Sequence, residues 1–302
     1  MRHVSERGAE LTLLGASERM QAVRARLRAF AQVPWAVRIE GPTGSGKGLA
    51  ARLLHRASPR AGGPFVAQAL TLLPRGLELA RLVGWTRGAF TGAVTDHPGV
   101  FERAHGGTLF LDEIACASED VQKALLQLVE DKVVERLGES RPRSVDVRLV
   151  FATNADLEDE VARKRFRHDL YPRLESLVVQ MPALKDHADD IPEIAAAILA
   201  RRAAEAGREP PRLSGPDLAR LQAYDWPWNV RELDNALKHL LALGELPEVL
   251  GAPPADWRSR LEDALVQHSG NKAAVARQLC ISRTSLYHAL ASRAGSDPAV
   301  PT

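Results

Sequence analysis

The first half of the chain alternates short apolar runs with stretches whose apolar residues have helical spacing. Apolar runs at 36–40, 65–69, 108–111 and 145–153 predict strands, and the pattern at 120–130 predicts an amphipathic helix. The run at 65–69 has the character of a buried strand. This alternation predicts an α/β domain with a parallel sheet, in which ligands bind at the carboxyl ends of the strands.

Beyond Met181 the pattern becomes purely helical. We expect an Ala-rich helix that ends near Ala206, a second helix capped by Ser214 and a third capped by Asn229. A stretch rich in proline and glycine follows and predicts a linker. The predicted organisation is a leader at 1–12, an α/β nucleotide-binding domain at 13–181, a helical lid at 182–244, a linker at 245–255 and a helix-turn-helix at 256–302.

Composition adds limits rather than a function. The 302 residues suffice for two or three domains, and 45% apolar with 26% charged residues is typical of a globular protein. No apolar run approaches the ~18 residues of a membrane span, and the polar N-terminus lacks a signal-peptide core. Cys116 and Cys280 match no metal or disulfide spacing. We therefore expect a cytoplasmic protein that does not bind a membrane.

A glycine-rich turn follows the strand predicted at 36–40 and precedes a helix. Its glycines let backbone N–H groups converge, and the helix dipole and Lys47 add positive charge, so the turn predicts a phosphate cradle. The alternative is a glycine-rich turn with a chance lysine. Gly48 stands where the general motif has a hydroxyl ligand for Mg²⁺. The candidate nucleotide-binding residues are Gly41, Pro42, Thr43, Gly44, Ser45, Gly46, Lys47 and Gly48.

Two consecutive carboxylates follow the strand predicted at 108–111. Beside a phosphate cradle, such a pair predicts that Asp112 holds Mg²⁺, directly or through water, and that Glu113 polarises the attacking water. The alternative is a solvated acidic turn. Asn154 follows the strand predicted at 145–153, where its side chain would sense the γ-phosphate.

A loop of small residues surrounds one aromatic and one threonine, and so makes a poor helix and a poor core strand. Such a loop either presents its aromatic to a partner or packs it against its own domain, and the residues favour neither reading. The loop residues are Gly88, Ala89, Phe90, Thr91, Gly92 and Ala93.

Arg167 and Arg173 lie six residues apart. Exposed arginines usually form a solvated face. The alternative is that they reach into a neighbouring subunit's nucleotide site and offset transition-state charge.

The C-terminal region has the spacing of a helix-turn-helix, with a turn at 280–281 between two short helices. The alternative is an ordinary helical hairpin, since the net charge of +2 for the chain shows no strong attraction to polyanions. The candidate residues for binding double-stranded DNA are Asn271, Lys272, Arg283, Thr284, Ser285 and His288.

In this order the motifs resemble the AAA+ activators of sigma-54 RNA polymerase, the bacterial enhancer-binding proteins. The resemblance covers about 13–292. It rests on LLGAS at 13–17, the phosphate cradle, GAFTGA at 88–93, GGTLFLDEI at 106–114, FRHDLYPRL at 166–174, WPWNVREL at 226–233 and a Fis-like helix-turn-helix.

The resemblance implies an ATP-driven ring, usually a homohexamer, that uses Mg²⁺, binds enhancer DNA and remodels the sigma-54 RNA polymerase holoenzyme. It implies that Phe90 and Thr91 of the GAFTGA loop contact sigma-54. By motif position Asn154 matches sensor I, Arg167 and Arg173 match the trans-acting arginines, and Arg231 matches sensor II in the lid.

Several positions depart from the family pattern. Ala69 stands where the family usually has an asparagine that pairs with the Walker B glutamate, the position that Glu113 matches here. Gly48 replaces a glutamate, and Trp228 replaces a glycine. The residues before Leu13 leave no room for a regulatory domain, so we expect control in trans or by expression level. The alternative function is a DNA-binding regulator, or a passive subunit in a mixed ring, that binds ATP with little hydrolysis.

Overall fold

The computed structural model of the chain describes residues 12–74, 76–174, 177–247, 250, 257–268 and 271–278. The predicted leader and linker lie largely outside these residues. The second helix of the predicted helix-turn-helix, with Arg283, Thr284, Ser285 and His288, lies wholly outside them. The chain divides into one unit made of Met1–Leu13, Gln21–Gly41 and Gly46–Met181, and a second made of Leu14–Met20, Pro42–Ser45 and Pro182–Thr302.

A parallel sheet lies at the centre of the first unit. The strands of this unit are β1 (Val37–Glu40), β2 (Phe65–Ala69), β3 (Gly84–Trp85), β4 (His97–Pro98), β5 (Thr108–Asp112), β6 (Val133–Val134), β7 (Arg143–Ser144), β8 (Arg148–Thr153) and β9 (Val178–Gln180). Five of them pair in the order β2-β5-β8-β1-β9, with every pair parallel. The predicted α/β class with a parallel sheet is confirmed.

Helices flank the sheet and build the second unit. They are α1 (Glu18–Ala31), α2 (Lys47–Arg56), α3 (Glu78–Val83), α4 (Val100–Arg103), α5 (Glu119–Asp131), α6 (Leu157–Ala162), α7 (Tyr171–Leu174), α8 (Ile191–Ala206), α9 (Gly215–Ala223), α10 (Asn229–Leu243), α11 (Trp257–Gln267) and α12 (Lys272–Gln278). None of these described helices combines the length and apolar character that crossing a membrane requires.

The burial of each strand follows its place in the sheet. All six residues of β8, near the middle of the sheet, are buried. The run at 65–69 was predicted to be a buried strand, and this prediction is wrong, because β2 is an edge strand whose residues are half-buried or exposed. It pairs on one side only, with β5.

Helix α2 is fixed to the sheet by a buried polar contact. The Nδ1 atom of His55 lies 2.9 Å from the Thr108 hydroxyl at the start of β5. Burial lowers the pKa of His55, and the positive charges of Arg148 and Arg56 lower it further, so the ring is neutral at pH 7. This contact links the helix after the glycine-rich turn to the strand that carries the two carboxylates.

Helices α8, α9 and α10 pack around a core of their own in the second unit. Trp226 is fully buried there, and its indole N–H donates to the Leu221 carbonyl at 2.7 Å. The Tyr224 ring meets Trp226 edge-on at 5.0 Å, and the Tyr224 hydroxyl donates to the buried Glu232 carboxylate. Trp226 and Glu232 of the WPWNVREL segment therefore lie inside this helical unit.

The predicted role of Asn229 as the cap of the third lid helix is wrong. Its side chain accepts from the Leu184 backbone N–H at 2.7 Å and donates to the Thr43 carbonyl at 2.9 Å. The Glu232 carboxylate instead accepts the Trp228 N–H at the start of α10. Asn229 thus joins distant segments of the second unit, and local sequence spacing does not reveal these partners.

The LLGAS segment is held by a buried carboxylate at the start of α8. Asp190 accepts hydrogen bonds from the backbone N–H of Ser17 at 2.9 Å, from its hydroxyl at 2.5 Å and from His187 Nδ1 at 3.0 Å. A Cβ atom at Gly15 would lie 2.5 Å from the same carboxylate. Position 15 therefore has no room for a side chain beside Asp190, and Ser17 supplies hydrogen bonds to the Asp190 carboxylate.

The charge of Asp190 should contribute stability that disappears in acid. Burial would raise the pKa of Asp190, but the donors from Ser17 and His187 outweigh burial and hold that pKa below its ordinary value. A carboxylate with a lowered pKa stabilises the fold above its unfolded pKa of about 3.9 and loses that contribution as the pH falls toward the folded pKa. We expect the wild type to exceed Asp190→Asn in free energy of unfolding at pH 7 and 5.

The difference in free energy of unfolding between wild type and Asp190→Asn should shrink below about pH 4. Urea denaturation of both proteins across this range measures it, with the exposed Asp189→Asn as the matched control for the loss of one charge. A difference that stays constant down to pH 3.5 would show that the charge of Asp190 is not what stabilises the fold.

Candidate functional site

The order of the sheet brings the predicted nucleotide residues of the first unit to one edge. Strand β8 lies between β1 and β5, and all three are parallel, so their carboxyl ends meet. Lys47 follows β1 through the glycine-rich turn, Asp112 ends β5 with Glu113 directly after it, and Asn154 follows β8. This edge is where open parallel sheets bind ligands.

The start of α2 has the backbone geometry of an anion site. Gly46 has a left-handed φ of 96°, and no side chain caps the first turn of the ten-residue helix. The Lys47 side chain is buried, with its Nζ atom donating to the Gly41 carbonyl at 2.8 Å. N–H groups at the start of a helix and an adjacent ammonium are the groups that hold phosphates.

The middle of the glycine-rich turn, Pro42–Ser45, belongs to the second unit and packs closely there. Gly44 has a φ of 82°, and a Cβ atom on it would lie 2.1 Å from the Trp228 carbonyl oxygen. No side chain fits at position 44. The Trp228 that the sequence singled out therefore approaches this turn with its backbone.

Glu113 lies between the lysine and the end of β8. Its Oε1 atom is 4.0 Å from Lys47 Nζ, and its Oε2 atom accepts from the Asn154 backbone N–H at 3.3 Å. Its own backbone has a left-handed φ of 58°, which is uncommon for a residue other than glycine. These contacts hold the carboxylate beside the groups expected to bind phosphate.

Asp112 has the unpaired oxygen that a metal ligand needs. Within the described residues, its buried Oδ1 atom has no hydrogen-bond partner. No group of three or more metal-binding side chains occurs in the part of the chain that is described. Mg²⁺ is commonly held by one or two carboxylates together with substrate phosphates and water, so a single orphaned carboxylate fits it. Position 48 is glycine and offers Mg²⁺ no hydroxyl ligand.

Cys116, close after the two carboxylates, is a poor nucleophile. Burial raises the pKa of its thiol, and the negative charges of Glu113, Glu160 and Asp112 raise it further. The side chain nevertheless reaches the surface. A neutral thiol does not support covalent catalysis, so the chemistry of this edge rests on the lysine and the carboxylates.

The GAFTGA loop projects from a two-stranded ribbon of β3 and β4. Hydrogen bonds within the loop order it, including Gly88 N–H to the Ala93 carbonyl at 2.8 Å and Ala93 N–H to the Phe90 carbonyl at 3.0 Å. Thr91 and Gly92 are exposed. The Phe90 ring is half-buried and meets Trp85 edge-on at 5.5 Å. The loop thus has an exposed tip and an aromatic that rests on its base.

Both candidate arginines form ion pairs within the chain. Arg167 Nη2 lies 2.7 Å from Asp169 Oδ2, and Arg173 Nη2 lies 2.9 Å from Glu130 Oε1. The Arg167 guanidinium holds the pKa of Asp169 below its ordinary value through a hydrogen bond and its charge. Both arginine side chains remain partly exposed.

The aromatic base of the loop was not predicted from the sequence. Trp85 stacks on His97 at 4.4 Å across the β3–β4 ribbon and also receives Phe90. Two aromatic residues on either side of a glycine-rich loop were the available signal. Of the other predicted residues, Arg231 lies in the first turn of α10, while Asn271 and Lys272 lie at the start of α12.

Comparison with protein families matches three consecutive segments. Residues 13–180 match the sigma-54 interaction domain, residues 185–252 match the AAA+ ATPase lid domain, and residues 258–291 match the Fis family of bacterial regulatory proteins. The first match alone covers more than half of the chain.

Individual relatives agree with these matches. The chain is 40% identical over 236 residues to the regulatory protein LuxO of Vibrio cholerae, covering 78% of this chain and 52% of LuxO. It is 38% identical over 314 residues to the transcriptional regulatory protein ZraR of Salmonella typhimurium, covering 94% and 71%. The chain spans about half the length of the LuxO relatives.

A solved structure also resembles the chain. NtrX from Brucella abortus in complex with ATP superposes with a TM-score of 0.75 at 30% identity, covering 94% of this chain and 70% of NtrX.

Proposed function

Because the chain belongs to the family of sigma-54-dependent transcriptional regulators, we propose that it is an ATP-driven activator that remodels sigma-54 RNA polymerase. The observation that carries the proposal is the cluster of Lys47, Asp112, Glu113 and Asn154 at one edge of the parallel sheet. A relative of known structure, NtrX from Brucella abortus, was crystallised in complex with ATP. ATP is accordingly the proposed substrate.

The residues at the carboxyl edge of the sheet have separate roles in ATP hydrolysis. The first N–H groups of α2 and the Lys47 ammonium bind the β- and γ-phosphates. Glu113 orients the attacking water and accepts its proton, while Asn154 contacts the γ-phosphate. Asp112 would hold Mg²⁺, which supplies neutralisation of phosphate charge when bound. Arg231 of the lid is the proposed second cation for the nucleotide.

Arg167 and Arg173 act on the site of a neighbouring subunit in a ring, proposed to be a homohexamer. Their pairs with Asp169 and Glu130 are partly exposed, and solvent screens such pairs so that they contribute little to stability. A neighbour's phosphates can therefore replace these carboxylates at little cost. The in-chain pairs keep the two guanidinium groups ordered until that exchange.

Two further surfaces complete the activator. The GAFTGA residues at 88–93 contact sigma-54, with Phe90 and Thr91 as the central groups. The Fis-type segment binds enhancer DNA through Asn271, Lys272, Arg283, Thr284, Ser285 and His288. The match to Fis-family regulators supports this second assignment.

Shared active sites should make hydrolysis depend on protein concentration. We expect ATP turnover per subunit to rise with concentration, and Arg167→Ala and Arg173→Ala each to lower it by about 10³-fold or more, because an arginine finger stabilises transition-state charge. Steady-state phosphate release over a concentration series measures this. The exposed Arg103→Ala on α4 serves as the control for loss of one surface arginine.

One observation favours a second candidate function. Position 69 carries only a methyl group beside Asp112 in the β2–β5 register, and the Gln68 amide donates to the Ala69 carbonyl. The alternative is a DNA-binding regulator, or a passive subunit of a mixed ring, that binds ATP with little hydrolysis. Flat and negligible turnover despite measurable ATP binding would favour that alternative over the activator.

A further inference from the structure

Gln122 is a buried amide on the apolar side of α5. Its side chain is 2% exposed, and the neighbouring positions on that side, Val121 and Leu125, belong to the core. Buried amides persist in such places when their hydrogen bonds are satisfied. The partners of Gln122 therefore indicate what it does.

All three hydrogen bonds of this amide go to backbone groups outside α5. Its Nε2 atom donates to the Arg165 carbonyl at 3.0 Å and to the Ala117 carbonyl at 2.9 Å, and its Oε1 atom accepts the Arg167 N–H at 2.8 Å. Between its two partners in the arginine segment, the Phe166 side chain is 3% exposed in the core. Gln122 thus holds the backbone immediately before and immediately after the buried Phe166.

We propose that Gln122 is the positioning residue of the trans-acting Arg167, which rests on the ring function proposed above. The Arg167 guanidinium pairs with Asp169, only two residues away, so that ion pair moves together with the segment. Gln122 instead fixes the segment to α5, and fixes it to Ala117, which follows Glu113 by four residues. Gln122 thereby fixes the position from which the Arg167 side chain extends toward the neighbouring subunit.

Misplacing a catalytic group by about 1 Å costs of the order of 10²-fold in rate. Gln122→Met keeps the length of the side chain and removes all three hydrogen bonds. We expect it to lower kcat for ATP by about 10- to 100-fold, with the Kd for ATP within about twofold, because the arginine acts on the neighbour's site. Gln127→Met, the same change at a half-buried position of α5, is the matched control.

Mixed rings separate positioning of the arginine from damage to the subunit's own site. Arg167→Ala subunits keep a complete site without the arginine, whereas Glu113→Gln subunits keep the arginine without the catalytic carboxylate. Each is inactive alone. An equal mixture should recover about a quarter of wild-type turnover, the share of interfaces that random assembly completes in a head-to-tail ring.

Gln122→Met is then added to one partner at a time. In the Glu113→Gln subunits it should lower the recovered turnover by about 10- to 100-fold, and in the Arg167→Ala subunits it should leave the recovery within about twofold. Equal loss in both mixtures, or loss only in the second, would overturn the positioning role. Melting temperatures of all variants accompany the assay. If Gln122→Met does not fold, Gln122→Asn, which keeps the amide but shortens its reach, takes its place in both mixtures.

The parent mixture distinguishes failure of the two proposals. If Arg167→Ala and Glu113→Gln subunits form mixed rings but recover no turnover, the trans-acting assignment of Arg167 fails, and the positioning role fails with it. Recovery in the parent mixture with no difference between the two Gln122→Met mixtures would overturn the role of Gln122 alone.

Discussion

Glu113→Gln should lower kcat for ATP hydrolysis by about 10²- to 10⁴-fold, the contribution of a positioned general base. The amide keeps the shape of the carboxylate and retains an oxygen for the Asn154 N–H, which Glu113 Oε2 accepts at 3.3 Å. It cannot accept a proton from water. The Kd for ATP should rise little or fall, because the substitution also removes a negative charge 4.0 Å from Lys47 Nζ.

Pre-steady-state phosphate release and ATP binding, measured on the same preparation, separate the two effects. Glu135→Gln, an exposed carboxylate in the same unit, is the control for loss of one charge. Turnover within threefold of wild type would remove Glu113 from the role of base. Loss of ATP binding together with turnover would instead indicate that Glu113 organises the phosphate cradle.

The edge of the sheet that carries Glu113 was predictable because its signals are local. A strand, a glycine-rich turn and a helix that begins at Lys47 are contiguous, and so are the strand at 108–111 and its two carboxylates. Parallel pairing then brings these strand ends together without further information. The strands of this edge and the residues at their carboxyl ends are therefore predicted from short contiguous segments.

The wrong predictions concern residues whose partners are distant in sequence. Asn229 has the residue type of a helix cap, but its hydrogen bonds go to Leu184 and Thr43. The apolar run at 65–69 does not tell an edge strand from a central one, because strand order depends on the whole sheet. Residue type and spacing describe local preference, and tertiary contacts override it.

The ion-pair and hydrogen-bond partners of the two arginines could not be predicted from sequence spacing either. Arg173 meets Glu130, which lies on another helix, and Arg167 is positioned through Gln122 on that same helix. One signal was present for Gln122, since it is the polar residue on the apolar stripe of α5, beside Val121 and three residues before Leu125. A buried amide in such a stripe predicts long-range backbone hydrogen bonds, although not their targets.

Phe90→Ala should leave ATP hydrolysis near the wild-type rate and abolish open-complex formation at a sigma-54 promoter. The Phe90 ring packs edge-on against Trp85 at the base of the loop, a contact worth about 0.5–1.5 kcal/mol, so its removal should change the fold little. Backbone hydrogen bonds such as that from Gly88 to Ala93 would remain. The substitution should therefore remove the contact with sigma-54 and leave ATP hydrolysis intact.

The measurement pairs phosphate release with permanganate footprinting of promoter DNA in the presence of sigma-54 holoenzyme and ATP. Val94→Ala is the matched control, because Val94 is 74% exposed on the same loop but lies outside GAFTGA. It should retain both activities. Since the Phe90 ring packs against Trp85, loss of hydrolysis as well as open complexes would mean that Phe90 supports the domain from within. Retention of both activities would remove Phe90 from the contact with sigma-54.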